Sequence, residues 1–145
     1  MRISDILRSK GSSVVTVSPD RTVLEVVQTL VDHNIGAVVV VEGDQPVGIV
    51  SERDILKLTA RGPERLGGIL ARTVMSRELV TSALDDDLDH VMHLMTNHRV
   101  RHLPILSHGR LVGIVSIGDI VNKVRSEVEE TNRHLMSYIS GAVRS

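Results

Sequence analysis

Apolar positions along the chain switch between two periods, and the switches mark out its elements. Val23, Val26, Val27, Leu30 and Val31 recur at helical spacing and predict a helix from Thr22 to about Asp32. Thr22 with Glu25 three residues on forms a capping box at its start. Ala37 to Val41 is β-branched at every position but one, which predicts a strand buried on both faces. Glu42-Gly43-Asp44-Gln45 is a hairpin turn, and Val47 to Val50 is the returning strand. Upstream, Val14 to Val17 is a short strand stopped by Ser18-Pro19-Asp20. Downstream, Ser51 opens a helix with Ile55 and Leu56 facing inward. The order is strand, helix, strand, strand, helix. Ile3, Ile6 and Leu7 add a lead-in helix before it, packing on the lobes and ending in a turn over Ser9 to Ser13.

The pattern then returns, shifted by 65 positions. GIVSERDIL at Gly48 to Leu56 is echoed by GIVSIGDIV at Gly113 to Val121. Val15-Thr16 falls on Val80-Thr81, Val26 on Val91 and His33 on His98. Leu103 to Leu106 and Leu111 to Val115 are the paired strands of the second copy, joined by Ser107-His108-Gly109-Arg110. Two copies at this period predict a pseudo-twofold pair, not a solenoid. The predicted fold is α/β (α+β). It has a lead-in over 1–13, repeats over 14–60 and 73–124, a glycine-rich linker over 61–72 and a C-terminal helical extension over 125–145. Along the final helix after Asp119, Val121, Val124, Val128, Thr131, Leu135 and Tyr138 alternate spacings of three and four, a heptad seam. The seam fits a helix lying on its own lobe or a contact between two copies.

Composition narrows the classes of function. At 145 residues and 41% apolar content the chain can build a core, and lobes of this size should pack together. A single Tyr, with no Phe or Trp, removes the stacking platforms that single-stranded nucleic acid requires. A net charge of −1 without a basic run also argues against nucleic acid. There is no cysteine, hence no thiol nucleophile, disulfide or thiolate metal site. The longest apolar stretch, Ile35 to Val41, falls well short of the ~20 residues of a membrane helix. The N-terminus carries charge where a secretory core would sit. The expectation is a soluble cytoplasmic protein with no membrane contact.

The chemistry sits at the duplicated junction. Ser51 with Asp54, and Ser116 with Asp119, can be helix caps and nothing more. The same arrangement can receive an anion on the helix amides while the carboxylate accepts hydrogen bonds from a ribose diol. Arg53 favours the second reading, because a cation in a first helical turn opposes the dipole by ~0.3–1 kcal/mol; pairing with Glu52 is the plainer alternative. The second copy has Ile117 and Gly118 at those two positions. His90, His93 and His98 lack a metal-site motif, and no metal is expected. Asp85, Asp86, Asp87 and Asp89 read as acids favoured at a helix start. No nucleophile–base arrangement, phosphate-binding glycine loop or dinucleotide fingerprint is present, so no enzyme activity is expected.

The repeated β-α-β-β-α unit, with Gly-Ile-Val-Ser-x-x-Asp at its last junction, resembles the cystathionine-β-synthase-type (CBS) domain. Two in tandem resemble the CBS pair, or Bateman module, over roughly Val14 to Lys123. The resemblance implies two clefts between the lobes, each able to take an adenosine-containing ligand such as AMP, ATP, NAD or S-adenosylmethionine. It also implies a homodimer and a regulated partner protein; with nothing attached here, the chain looks like a free-standing version. Ser51, Asp54, Ser116 and Asp119 match the family's ribose and phosphate positions. Arg101, His102, Leu103 and Pro104 match the segment lining the adenine pocket, where the first copy offers Gly36, Ala37, Val38 and Val39. Thr16 and Thr81 match positions flanking the base. Arg99, Arg101 and His102 are expected to supply charge for a phosphate in the second cleft, so the two sites should differ. The function implied is an adenine-nucleotide sensor that signals to another protein; a ligand-independent assembly module is the alternative.

Overall fold

A computed structural model describes residues 1–11 and 13–144, with side chains to Ser140. The predicted turn over Ser9 to Ser13 includes Ser12, and the predicted extension includes Ser145; both lie outside the described residues. The first repeat contains β1 (Thr16–Val17), α2 (Val23–His33), β2 (Ala37–Glu42), β3 (Gln45–Ser51) and α3 (Glu52–Arg61), after a lead-in helix α1 (Ile3–Lys10). A 3-10 turn (Pro63–Arg65) and a short α4 (Ala71–Val74) lead to β4 (Ser82–Ala83), α5 (Leu88–His98), β5 (His102–Ser107), β6 (Arg110–Ser116) and α6 (Ile117–Arg144). The sheets are ordered β1-β2-β3 and β4-β5-β6, with the first pair in each parallel and the second antiparallel. This is the predicted strand, helix, strand, strand, helix unit twice over.

Local chemistry accounts for each element. β2 is the central strand, and Ala37 to Val40 are all buried, as an apolar run covered on both faces requires. Both hairpins turn on two residues; His108 (φ 53°) and Gly109 (φ 76°) are both left-handed, the conformation that matches strand twist in so tight a loop. Each hairpin shifts register at the same place, after Val40 and after Ile105. At the start of α2, Glu25 N donates to Thr22 Oγ1 at 3.2 Å and Thr22 N donates back to Glu25 Oε1 at 3.2 Å. Three expectations need correction. The first strand is two residues long, and its second copy starts at Ser82, one position past Thr81. Val31 and Leu56 are 72% and 69% exposed, because α2 buries only Val23, Val26 and Leu30 and α3 buries no residue fully.

The lead-in helices exchange partners. Ile3, Ile6 and Leu7 of α1 are buried in the core of the second repeat, with Leu88, Val91, Met95, Leu103, Ile105, Val115 and Ile120. Its backbone is tied there too, Ile3 N donating to Asp86 O and Leu88 N to Met1 O. Conversely, Ala71 joins the core of the first repeat with Val17, Val26, Leu30, Val38, Val40 and Val50, and Val74 and Met75 pack against it. Close approach is possible because glycines stand on the receiving strands. A Cβ on Gly113 would lie 2.7 Å from Leu7 Cδ1, and one on Gly48 would lie 2.5 Å from Met75 Sδ. The lead-in therefore packs on one lobe, the one distant in sequence.

α6 runs for 28 residues. Ile120 anchors its first turn in the second core, but Val121, Val128, Leu135, Met136, Tyr138 and Ile139 are all more than half exposed. The heptad seam therefore does not lie on its own lobe.

Candidate functional site: two inequivalent clefts

Both junctions are complete capping boxes. In the first, Ser51 N and Ser51 Oγ donate to Asp54 Oδ2 at 2.9 and 3.0 Å, and Asp54 N lies 3.4 Å from Ser51 Oγ. In the second, Ser116 N donates to Asp119 Oδ2 at 2.9 Å and Asp119 N to Ser116 Oγ at 3.1 Å. The first helical amide in each case is spent on the residue just before the sheet's central strand: Glu52 N on Gly36 O, and Ile117 N on Arg101 O. Capping uses one oxygen of each carboxylate, Oδ2, and Oδ1 has no hydrogen-bond partner among the described residues.

Around Asp54 a cleft of about 590 Å³ opens between the repeats. Of the residues singled out in the sequence, Gly36, Ser51, Arg53, Asp54, Arg99, Arg101, His102 and Pro104 line it. Ala37, Val38 and Leu103 are buried and do not, the last two pointing into their own cores. Thr81 does not line it, although its chain neighbour Val80 does. Thr16 lines a separate groove of about 480 Å³ with Arg21 and Glu25, which pair with each other at 2.8 Å.

Arg99, Arg101 and His102 therefore line the first cleft, although their charge was expected to serve the second, and His102 also lies close enough to Lys10 and Asp119 to feel their charge. The cause is the pairing of the two repeats: the start of β5 lies across the β3–α3 junction, so the second repeat lends its charge to the first. His102 Nε2 lies 3.0 Å, and Glu52 Oε1 3.1 Å, from where a Cβ on Gly36 would be. Burial is the main cause that lowers the His102 pKa below 6.5, helped by Lys10 and opposed by Glu52 and Asp119. Arg53 has no carboxylate within salt-bridge distance among the described residues, so pairing with Glu52 does not explain it. Sequence reasoning passed over Lys57 and Glu78, which also line the cleft. Lys57 stands one helical turn after Arg53, a spacing that could have placed it on the same face. The lining thus offers four cations, Arg53, Lys57, Arg99 and Arg101, against Glu52, Asp54 and Glu78.

The second junction is held differently. Lys10 Nζ, from the last turn of α1, donates to Asp119 Oδ2 at 2.6 Å and to Ile114 O at 2.9 Å. Burial pushes the Asp119 pKa up, but hydrogen bonds from Lys10 and Ser116 outweigh it and hold the group below its ordinary value. Nothing in the sequence pairs Lys10 with Asp119; the contact follows from the exchange of lead-in helices. Among the described residues no three His, Asp or Glu side chains are grouped to hold a metal ion. Asp86 instead serves its own loop, accepting from Ser82 Oγ and from Ala83 N. No helix among the described residues is long and apolar enough to cross a membrane.

Comparison with known proteins places these clefts in context. The family described as CBS domain matches residues 3–61 and 71–126. The chain is 36% identical over 151 residues to the mitochondrial CBS domain-containing protein CBSX3 of Arabidopsis thaliana, covering 96% of this chain and 72% of that one. Its fold superposes on the CBS-domain containing protein ATU1752 from Agrobacterium tumefaciens with a TM-score of 0.81 and 38% identity, over 85% of this chain and 98% of that one. The CBS domain pair of protein MJ0100, solved in complex with 5′-methylthioadenosine and S-adenosyl-L-methionine, matches with a TM-score of 0.78 and 26% identity, over 88% and 98%.

Proposed function

The chain belongs to the CBS-domain family, as a tandem-pair regulatory module, and on that footing we propose that it senses an adenosine-containing ligand and reports it to a separate protein. The observation that carries this reading is the cleft at Asp54. A carboxylate with one uncommitted oxygen stands at a helix start, in a cavity of about 590 Å³ that also holds four cations. In this assignment Asp54 accepts from the ribose diol, Arg53, Arg99, Arg101 and Lys57 receive phosphate, and His102 and Pro104 flank the base. Adenosine compounds in the related MJ0100 pair support the ligand class. Among AMP, ATP, NAD and S-adenosylmethionine, the excess of cations favours a phosphorylated ligand. Ligand binding biases the packing of the two repeats by its difference in affinity for their arrangements. A homodimer formed through the exposed stripe of α6 is the surface we assign to output.

The test is a thermal-shift panel of AMP, ADP, ATP, NAD, S-adenosylmethionine and 5′-methylthioadenosine. A ligand at 100 times its dissociation constant adds about 2.7 kcal/mol, a shift of roughly 5–10 °C in a protein of this size. Asp54→Ala should abolish that shift in a protein that remains folded. A second reading, a ligand-independent assembly module, is favoured by the two capping boxes, which are fully formed without ligand. It predicts a flat panel and the same loss of stability from capping mutations with or without nucleotide.

A further inference from the structure

The two strand-to-helix junctions are related by the repeat, so features of one have counterparts in the other, and one counterpart is chemically altered. At the first cleft, Ile49 exchanges backbone hydrogen bonds with Ser76, whose N donates to Ile49 O at 2.9 Å. Ile114 stands at the matching position of the second cleft, and its carbonyl is taken by the ammonium of Lys10 at 2.9 Å. The same ammonium reaches Asp119 Oδ2 at 2.6 Å. Asp54 has no such counter-cation among the described residues.

Lys10 is not a loose surface side chain. It ends a helix whose Ile3, Ile6 and Leu7 are buried in the second core, and Leu7 lies directly against Gly113, next to Ile114. The stem therefore starts from a fixed point, and the ammonium has two acceptors waiting. The first turn of α6 also lacks the cation that Arg53 provides in α3, since Gly118 stands there.

We infer that Lys10 is an internal occupant of the second cleft, competing with any ligand hydroxyl for Asp119 and leaving the Asp54 cleft as the open site. The inference rests on the ligand class proposed above. A ligand hydroxyl at Asp119 must share the carboxylate with an ammonium already 2.6 Å from Oδ2, a competitor that Asp54 lacks among the described residues. Lys10 thus sets a threshold between two sites that the repeat alone would make alike.

Isothermal titration with AMP, ATP and adenosine tests this in an Asp54→Asn background, where only the second cleft remains. Adding Lys10→Met should tighten binding there about fivefold or more, for adenosine as well as for the nucleotides, and Asp119→Asn should remove the gain. Lys10→Arg keeps a cation in place and should give no gain; circular dichroism of each variant checks that α1 stays folded. Weaker nucleotide binding in the Lys10→Met variant would make Lys10 a phosphate contact and overturn the inference. So would unchanged or undetectable binding in both backgrounds while the wild type binds. If the wild type binds nothing but Lys10→Met binds at Asp119, the inference stands and the Asp54 assignment falls. If none of the proteins binds any probe, both fall.

Discussion

Single side chains at the repeat boundary carry measurable consequences. His102 is half-buried and its pKa is lowered, first by burial and then by Lys10. As pH falls below about 6.5 the unfolded chain takes up this proton before the folded protein does, so stability drops. The contribution is complete above that pH and is lost as pH falls through the folded value. His102→Gln should flatten the curve of denaturation midpoint against pH just below about 6.5, where most carboxylates are still ionised. An unchanged slope would assign the effect to other groups. Gly113→Ala drives a methyl into Leu7 and should cost about 1–3 kcal/mol by overpacking. Its signature is a lower urea midpoint, with amides of α1 the first to exchange. The glycine was visible in the repeated motif, but its reason was not. The motif is local, whereas the side chain it makes room for is more than a hundred residues away.

Elements were the most legible scale, because their signals are local. The capping residues at Thr22 and Ser51, the two-residue hairpins and the buried central strand all follow from neighbours within a few positions. What failed at this scale was direction. Val31 and Leu56 carry the right period but face solvent, since a helix half-covered by one sheet buries a narrower stripe than its apolar residues suggest. Thr22→Ala should cost about 1 kcal/mol, read as a lower thermal midpoint, because it removes one side of a reciprocal cap. The exposed seam of α6 makes a separate prediction. Val128→Glu with Leu135→Glu should convert a dimer to a monomer by light scattering, with the fold of the two repeats unchanged. A monomeric wild type would remove α6 as a self-association surface.

For the whole molecule, the offset between repeats disclosed that two similar units exist but not how they are joined. Pseudo-equivalence is symmetric: it matches Arg101 with Gly36 without saying which cleft either one faces. That is why the charge of Arg99 and Arg101 was expected at the wrong site, and why Lys10 went unnoticed. The crossed lead-ins make the repeats interdependent. Residues 73–145 expressed alone lack Ile3, Ile6 and Leu7, three buried side chains each worth about 1.5–3 kcal/mol. This fragment should show no cooperative unfolding by circular dichroism, and adding a peptide spanning residues 1–13 should restore some of it. An isolated half that melts sharply would mean that each core is sufficient without its exchanged helix.

The same crossing imposes an order on synthesis. Ile3, Ile6 and Leu7 leave the ribosome before both repeats, yet the surface that covers them is completed only by Val115 and Ile120. At roughly 5–20 residues per second, this apolar face waits on the order of ten seconds for its partner. The first repeat, by contrast, is closed soon after Ala71 emerges. The nascent chain therefore holds a finished first repeat preceded by a sticky amphipathic segment, and chaperone capture should be strongest in that interval.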